Sequence, residues 1–222
     1  CKNKILFTPS KFIHNLFDFF FDKIIHINYN KPKIDFLVDT LNFLNCDFIK
    51  SDLNFLKYNA VNQFKTYKIG FDKYIVLNFD EKWIFKNYIS TYSNIEPSIK
   101  DFIKFINKLS NKKNLIITNG LIKNPILHQI KVGFIDKLNK NILIKDQIDI
   151  FELEYLIKNS DALISCHGAP SHIASNHSIK IVDIIDKSEI NFFESYNFHF
   201  RNKSQLLRED FDILSNKIFL LF

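Results

Sequence analysis

The chain has 222 residues, 46% hydrophobic and 24% charged, enough apolar material for one large or two modest cores, which excludes a disordered, collagen-like or disulfide-scaffold protein. Lys+Arg 30 against Asp+Glu 24 leaves a net +6, yet the lysines lie scattered between Phe and Ile rather than in a stripe, so no nucleic-acid partner is expected. The apolar share is filled by 25 Phe and 1 Trp with no Met, and Arg occurs only at positions 201 and 208; this is the bias of an AT-rich genome rather than of a function.

In chain order, Ile5–Phe7 and Ile24–Ile27 read as short strands, and Ser10 is placed to cap a helix running to Phe21. Asp18 interrupts the apolar run from Phe17 to Phe21, and no segment reaches the roughly 18 unbroken apolar residues of a membrane span. Phe36, Leu37, Thr40, Leu41 and Leu44 recur at helical spacing and predict a helix over Asp35–Phe43. Residues 45–68 lack a clean period and read as a connector with one helix around Leu53–Lys57. A domain boundary is expected near Tyr67–Gly70, giving a partial α/β domain at 1–69 and a nearly complete doubly wound, Rossmann-like domain at 70–222. A chain without Met that opens on the strand-like Lys4-Ile5-Leu6-Phe7 reads as a fragment. Cys1, Cys46 and Cys166 form no CxxC pair, which suits a reducing, cytoplasmic setting.

From Gly70 short apolar runs alternate with longer helical stretches, the pattern of βα units and a parallel sheet. Tyr74-Ile75-Val76-Leu77 is a strand, followed by the polar loop Asn78 to Trp83. Pro97 or Ser98 opens a helix with Ile99, Phe102, Ile103, Ile106 and Leu109 on its apolar stripe. Leu115 to Thr118 is the next strand and ends at the turn Asn119-Gly120. A helix over Pro125–Leu138, a strand at Ile142–Ile144, a helix over Ile150–Lys158 and a strand at Ala162–Ser165 follow. His167–Ser178 holds a tight loop and a short helix, and Ile181–Ile185 is a strand. The tail from Ser204 to Phe222 reads as a helix with Leu206, Leu207, Phe211, Leu214, Ile218 and Leu221 as its stripe.

The densest chemical signal is Ser165-Cys166-His167-Gly168-Ala169-Pro170-Ser171-His172-Ile173-Ala174. It directly follows a buried strand, at the carboxyl end of a parallel sheet, where open α/β folds bind ligands. Gly168 and Ala169 let backbone approach a ligand, and Pro170 suits a first helical turn. The N–H groups of Ser171 and His172 are then expected to face outward as a phosphate seat. Each feature also has a plainer role: a strand-to-helix connection, a structural histidine, a buried Cys166. His167, His172 and His177, spaced by five, fall on different helix faces, so no metal site is expected.

On these residues the stretch from Ile150 to Ile185 resembles the donor-binding half of a GT-B glycosyltransferase of the heptosyltransferase-like family 9. That family places Asp-Thr-Gly-Pro-x-His-Leu-Ala between a helix–strand pair and a short helix. Here the motif reads His167 to Ala174, with Pro170, His172 and Ala174 matching, His167 in place of Asp and Ala169 in place of Gly. The resemblance implies a donor-phosphate Lys after the first strand of the domain, for which Lys82 in Asp80-Glu81-Lys82-Trp83 is the candidate. The family's Glu after the next strand has no counterpart in Leu121-Ile122-Lys123-Asn124.

The resemblance further implies an inverting, metal-independent transfer from a nucleotide-sugar donor to a cell-surface glycan or lipid-linked acceptor such as lipopolysaccharide. It implies no cofactor beyond that substrate, and a cytoplasmic protein in peripheral contact with the inner membrane. The donor-binding candidates are Lys82, His167, Gly168, Ala169, Pro170, Ser171 and His172, joined by Asp186 at a strand end and Arg201 beyond the last βα unit. The acceptor-side domain would be 1–69 and would supply the catalytic base; Asp18, Asp22, Asp35 and Asp39 read as surface helix residues, so the base is unassigned and expected outside this chain. Trp83, Phe85 and Tyr88 read as core, with stacking on an acceptor as the alternative. His167-Gly168-Ala169 is also similar to the His-Gly-Ala of capsular-type family 61 transferases, and a nucleotide-binding or interaction module without catalysis is the reading from a different class.

Overall fold

The structure is a computed structural model that describes residues 4–10, 12, 13, 15, 18–27, 33–46, 69–84, 91–191 and 200–222. The chain divides into two compact units, one of Cys1–Lys57 with Ile190–His199, the other of Tyr58–Glu189 with Phe200–Phe222.

In the first unit β1 (Ile5–Thr8) and β2 (Lys23–His26) pair in parallel, Ile5 opposite Lys23 and Thr8 opposite His26. Ser10 Oγ accepts the Ile13 N–H at 3.3 Å, a helix-start bond, but Asp18–Phe20 is one 3-10 turn rather than the end of a long helix. Helix α1 (Lys33–Phe43) follows. Asn45 takes φ 52° just beyond it, a left-handed exit that lets Cys46 N–H reach the Leu41 carbonyl at 3.0 Å. The helix expected around 53–57 lies outside the described residues.

The second unit is built on one six-stranded sheet, with every adjacent pair parallel. Its strands are β3 (Tyr74–Asn78), β4 (Asn114–Thr118), β5 (Ile142–Lys145), β6 (Ala162–Cys166), β7 (Lys180–Ile185) and β8 (Lys203–Leu207), in the spatial order β5-β4-β3-β6-β7-β8. The central strands are buried along nearly their whole length while β5 and β8, at the edges, are largely half-buried. Coverage on both faces explains why the central strands read as continuous apolar runs.

The helices are α2 (Glu81–Ile84), α3 (Ile99–Ser110), α4 (Pro125–Gly133), α5 (Ile150–Lys158), α6 (Ala169–Asn176) and α7 (Phe211–Leu220). Ile75, Leu77, Leu115, Ile117, Ile164 and Val182, alternate residues on one sheet face, join the core that holds Phe102 and Ile106 of α3 and Leu214 and Ile218 of α7. Phe79 stacks on Phe102 at 4.0 Å within it, and Phe105 meets Phe211 edge-on at 5.6 Å. Tyr74, whose hydroxyl donates to the Leu156 carbonyl of α5 at 2.9 Å, belongs to the other face. Each of three helix starts is chemically specified: Ser98 Oγ accepts from Asp101 N–H, Asn124 from Leu127 N–H and Asp149 from Glu152 N–H.

Two expected helices are corrected. The stretch read as Pro125–Leu138 ends as an α-helix at Gly133 and continues as a 3-10 turn at Ile135–Lys137. The tail is not helical from Ser204: Lys203–Leu207 is strand β8, paired with β7 from Ile181↔Lys203 to Ile185↔Leu207. Leu206 packs on the core from that strand, and Asp210 opens α7 by accepting the Asp212 N–H. An edge strand with one useful apolar face is short enough to mimic the start of a helical stripe.

Candidate functional site

The strand order reverses between β3 and β6, the switch point at whose carboxyl end a doubly wound sheet opens a crevice for ligands. Two loops meet there, one from β3 into α2 and one from β6 into α6. Both are built from buried polar side chains.

Under them runs a row of polar groups across three strand ends. Thr118 Oγ1 of β4 donates to Asn78 Oδ1 of β3 at 3.3 Å, and Asn78 Nδ2 donates to Asp80 Oδ2 at 3.0 Å and to Ser165 Oγ of β6 at 3.4 Å. The Trp83 indole N–H donates to the Asn78 carbonyl at 2.9 Å, so Trp83 is buried core beneath the loop, not an exposed stacking surface. Phe85 and Tyr88 lie outside the described residues. Asp80 Oδ1 accepts the Lys82 N–H at 3.1 Å and so starts the single turn of α2. Burial pushes the Asp80 carboxyl up to about 6 against the pull of the Lys82 charge.

Lys82 crosses the switch point. Its Nζ donates to the His167 carbonyl at 3.0 Å and lies 3.8 Å from Asp80 Oδ2. The ammonium rests where a side chain on Gly168 would begin, since a Cβ built there collides with Lys82 Nζ. Glycine at 168 thus leaves room for the ammonium, and any larger residue displaces the cation from this seat. Gly120, at the end of β4, meets nothing within 4 Å.

The second loop is tied down by Asp183, fully buried in β7. Its Oδ2 lies 2.8 Å from His167 Nδ1, and its Oδ1 accepts the Ser171 hydroxyl at 2.7 Å. A carboxylate inside a sheet is costly unless it is well partnered; here it fixes one residue of the loop and one of the first turn of α6. His172 stands edge-on to His167 at 5.4 Å and to Phe200 at 5.1 Å.

One detail of the phosphate seat is corrected. The N–H groups of Ser171 and His172 do not face outward: both donate to the Gly168 carbonyl, at 3.0 and 3.3 Å. Gly168 is the residue before α6, so its carbonyl receives the first helical bonds. Pro170, the second residue of α6, has no N–H to place.

The other candidates sit as follows. Asp186 lies beyond β7 with Oδ2 accepting the Ser93 N–H at 2.7 Å and Oδ1 accepting the N–H and hydroxyl of Ser188 at 3.0 and 2.8 Å. Burial opposes its ionisation, but these hydrogen bonds outweigh it and hold the carboxyl below the ordinary range. Arg201 is exposed, before β8. Cys166 is fully buried, and burial drives its thiol far above the usual range, consistent with a core residue and not a nucleophile. Among the described residues no group of three or more His, Cys, Asp or Glu is arranged to hold a metal ion, and no helix is long and apolar enough to cross a membrane.

Sequence reasoning passes over three residues that build the site: Asn78, Asp183 as the partner of His167 and Ser171, and Arg208. Each carries a signal. Asn78 and Asp183 are polar positions inside apolar strands, and Arg208 is one of only two arginines.

No protein-family model matches the chain, and no curated protein matches it. Among solved structures it is similar to the glycosyl transferase family 9 protein from Veillonella parvula DSM 2008, with 13% identity and a TM-score of 0.54 over 96% of this chain and 60% of that one. The chain thus spans about 60% of that neighbour's length. UDP-GlcNAc 2-epimerase from Methanocaldococcus jannaschii, solved with UDP-GlcNAc and UDP, aligns at 16% identity and a TM-score of 0.46 over 98% of this chain and 54% of that one. The likeness to the first is one of fold: the chain has an α/β, GT-B-like architecture with a Rossmann-type parallel sheet.

Proposed function

We propose that this chain contains the donor-binding half of a glycosyltransferase that moves a sugar from a nucleotide-sugar to a glycan or lipid-linked acceptor. The observation that carries the reading is the Lys82 ammonium seated over Gly168 and against the His167 carbonyl, where the strand order reverses. A preorganised cation beside a helix start suits a diphosphate, whose charge grows as the bond to the sugar breaks. Lys82 would meet the developing charge while the loop from His167 to His172, stapled by Asp183, shapes the pocket around it.

In this reading the transfer is inverting and metal-independent, as the family resemblance implies, and Lys82 takes up the charge of the departing diphosphate. A carboxylate outside the described site takes the acceptor's proton. Heptosyl or hexosyl donors and a lipopolysaccharide acceptor at the inner-membrane face are the substrates the family resemblance favours, and residues 1–69 would form part of the acceptor side.

Titration calorimetry of the chain with UDP and ADP tests the donor site. Lys82→Ala and His172→Ala are each expected to weaken binding by about tenfold, the loss of one charge-assisted or polar contact. Affinity unchanged in both variants overturns the assignment.

A further inference from the structure

Arg208 stands just past β8, and only 8% of it is exposed. Its guanidinium spends its donors across the carboxyl edge of the sheet. Nη2 donates to the Lys82 carbonyl at 2.9 Å, Nε to the Ser93 carbonyl at 3.0 Å, and Nη1 to Cys166 Sγ at 3.4 Å, while the plane lies over the Tyr92 ring with Cζ 5.5 Å from its centroid. Arg208 N–H is itself fixed on the Ile185 carbonyl at 2.7 Å. One side chain therefore joins the ends of β8 and β6 to the turn that carries Lys82.

The Ser93 segment is gripped from both sides, since Asp186 accepts its N–H while Arg208 donates to its carbonyl. These donors are directed by a rigid planar fork, and a lysine offers no such set. The guanidinium is too enclosed to be a first contact for a ligand. Its effect is instead on where the α2 turn sits, and the α2 turn determines where the Lys82 ammonium sits relative to Gly168. A shift of the Lys82 backbone away from β6 draws Nζ off the His167 carbonyl, because the contact is made at the far end of the side chain.

We propose that Arg208 is a positioning residue for Lys82: it braces the α2 turn against the ends of β6 and β8 and so holds the ammonium at the switch point. The proposal rests on the reading that Lys82 receives the donor's diphosphate, and it adds the residue that keeps Lys82 in place.

Two measurements on the full chain test it, each on Arg208→Gln and Arg208→Lys. The first is the acylation rate of the Lys82 amine, followed by mass spectrometry of its peptide, which needs no ligand. Both variants should label several-fold faster than the wild type, because the amine is no longer pinned; an unchanged rate overturns the proposal. The second is UDP affinity by calorimetry. Arg208→Gln should bind about tenfold more weakly, and the Lys82→Ala/Arg208→Gln double variant no more weakly than Lys82→Ala alone, the non-additivity expected when one residue acts through another. Losses that add in full mean that Arg208 works independently of Lys82, and overturn it. Wild-type behaviour in Arg208→Lys shows that charge rather than the fork is what matters, and also overturns it. If Arg208→Gln does not fold, Arg208→Lys carries both measurements, with its own double variant. If the wild type binds neither UDP nor ADP, the proposed function falls, and the labelling rate alone decides the role of Arg208.

Discussion

Two groups of loops at the carboxyl end of the same sheet are built on opposite principles. The loops after β3 and β6 are held by buried ionisable groups: Asp80 on one, with the half-buried Lys82 beside it, Asp183 behind the other, and Arg208 across both. Among the described residues, the side-chain bonds that hold the loop after β4 come from neutral amides. Asn119 Nδ2 donates to the Ile122 carbonyl at 2.7 Å and its Oδ1 accepts the Gln147 N–H at 2.8 Å, while Asn124 donates to the Phe79 carbonyl at 2.8 Å. That loop shows Leu121 and Ile122 to solvent, 72% and 59% exposed. Both solutions make an ordered turn. Only the first keeps ionisable groups out of water, which costs stability and is therefore the arrangement expected where a charged ligand is met.

Removing the charge from the β6 loop should show the largest difference. Asp183→Ala leaves the His167 ring nitrogen and the Ser171 hydroxyl without their buried partner, and is expected to lower stability by about 2–4 kcal/mol in urea titrations. A loss no greater than that of a surface substitution would break the contrast between the loops.

Asp80→Asn should act instead on the pH dependence of stability. The carboxyl ionises near 6 in the folded chain and near its ordinary 3.8 when unfolded, so the native state binds the proton more tightly. Its contribution to stability is full below about pH 4 and is lost as pH rises through about 6. The amide oxygen of this variant can still cap α2, but its NH2 then faces the Asn78 and Lys82 donors. The substitution should therefore remove the loss of stability between about pH 4 and 7 and flatten that part of the pH profile, whatever its constant cost. Equal pH profiles for the two proteins would show that burial does not burden this carboxylate.

The amide-built loop should respond least. Asn119→Ala removes two neutral hydrogen bonds and is expected to cost about 1 kcal/mol, and Leu121→Ser, on an exposed tip, should stay within about 0.5 kcal/mol. Thermal unfolding of both variants checks this. A change at Leu121 larger than that at Asn119 would mean that the tip is packed and not merely displayed.

The glycines make the same distinction at single positions. Gly120 and Gly168 both close strands, and sequence alone gives them equal weight. Only Gly168 has a neighbour where its side chain would be, because Lys82, far away in the chain, is brought over it by the β3–β6 pairing. The outward-facing N–H groups of Ser171 and His172 failed as an expectation for a local reason: once Gly168 precedes the helix, its carbonyl is the nearest acceptor for both.

The apolar runs of β3, β4, β6 and β7, the caps Ser98 and Asn124 and the stripe of α3 are local properties, and they determined the βα alternation, the parallel sheet and the placing of the motif after a buried strand. The strand at Lys203–Leu207 was illegible because five residues beside a helix carry no period of their own; pairing with β7 made them a strand. The partners of the site were illegible for a related reason. Asp183 with His167, Lys82 with Gly168 and Arg208 with Lys82 are joined across 16, 86 and 126 positions respectively, and no pattern along the chain encodes which buried charge will face which. The 222 residues and their Phe-rich, Lys-rich composition decided that there would be a covered sheet. The strand order decided where its few buried charges would meet.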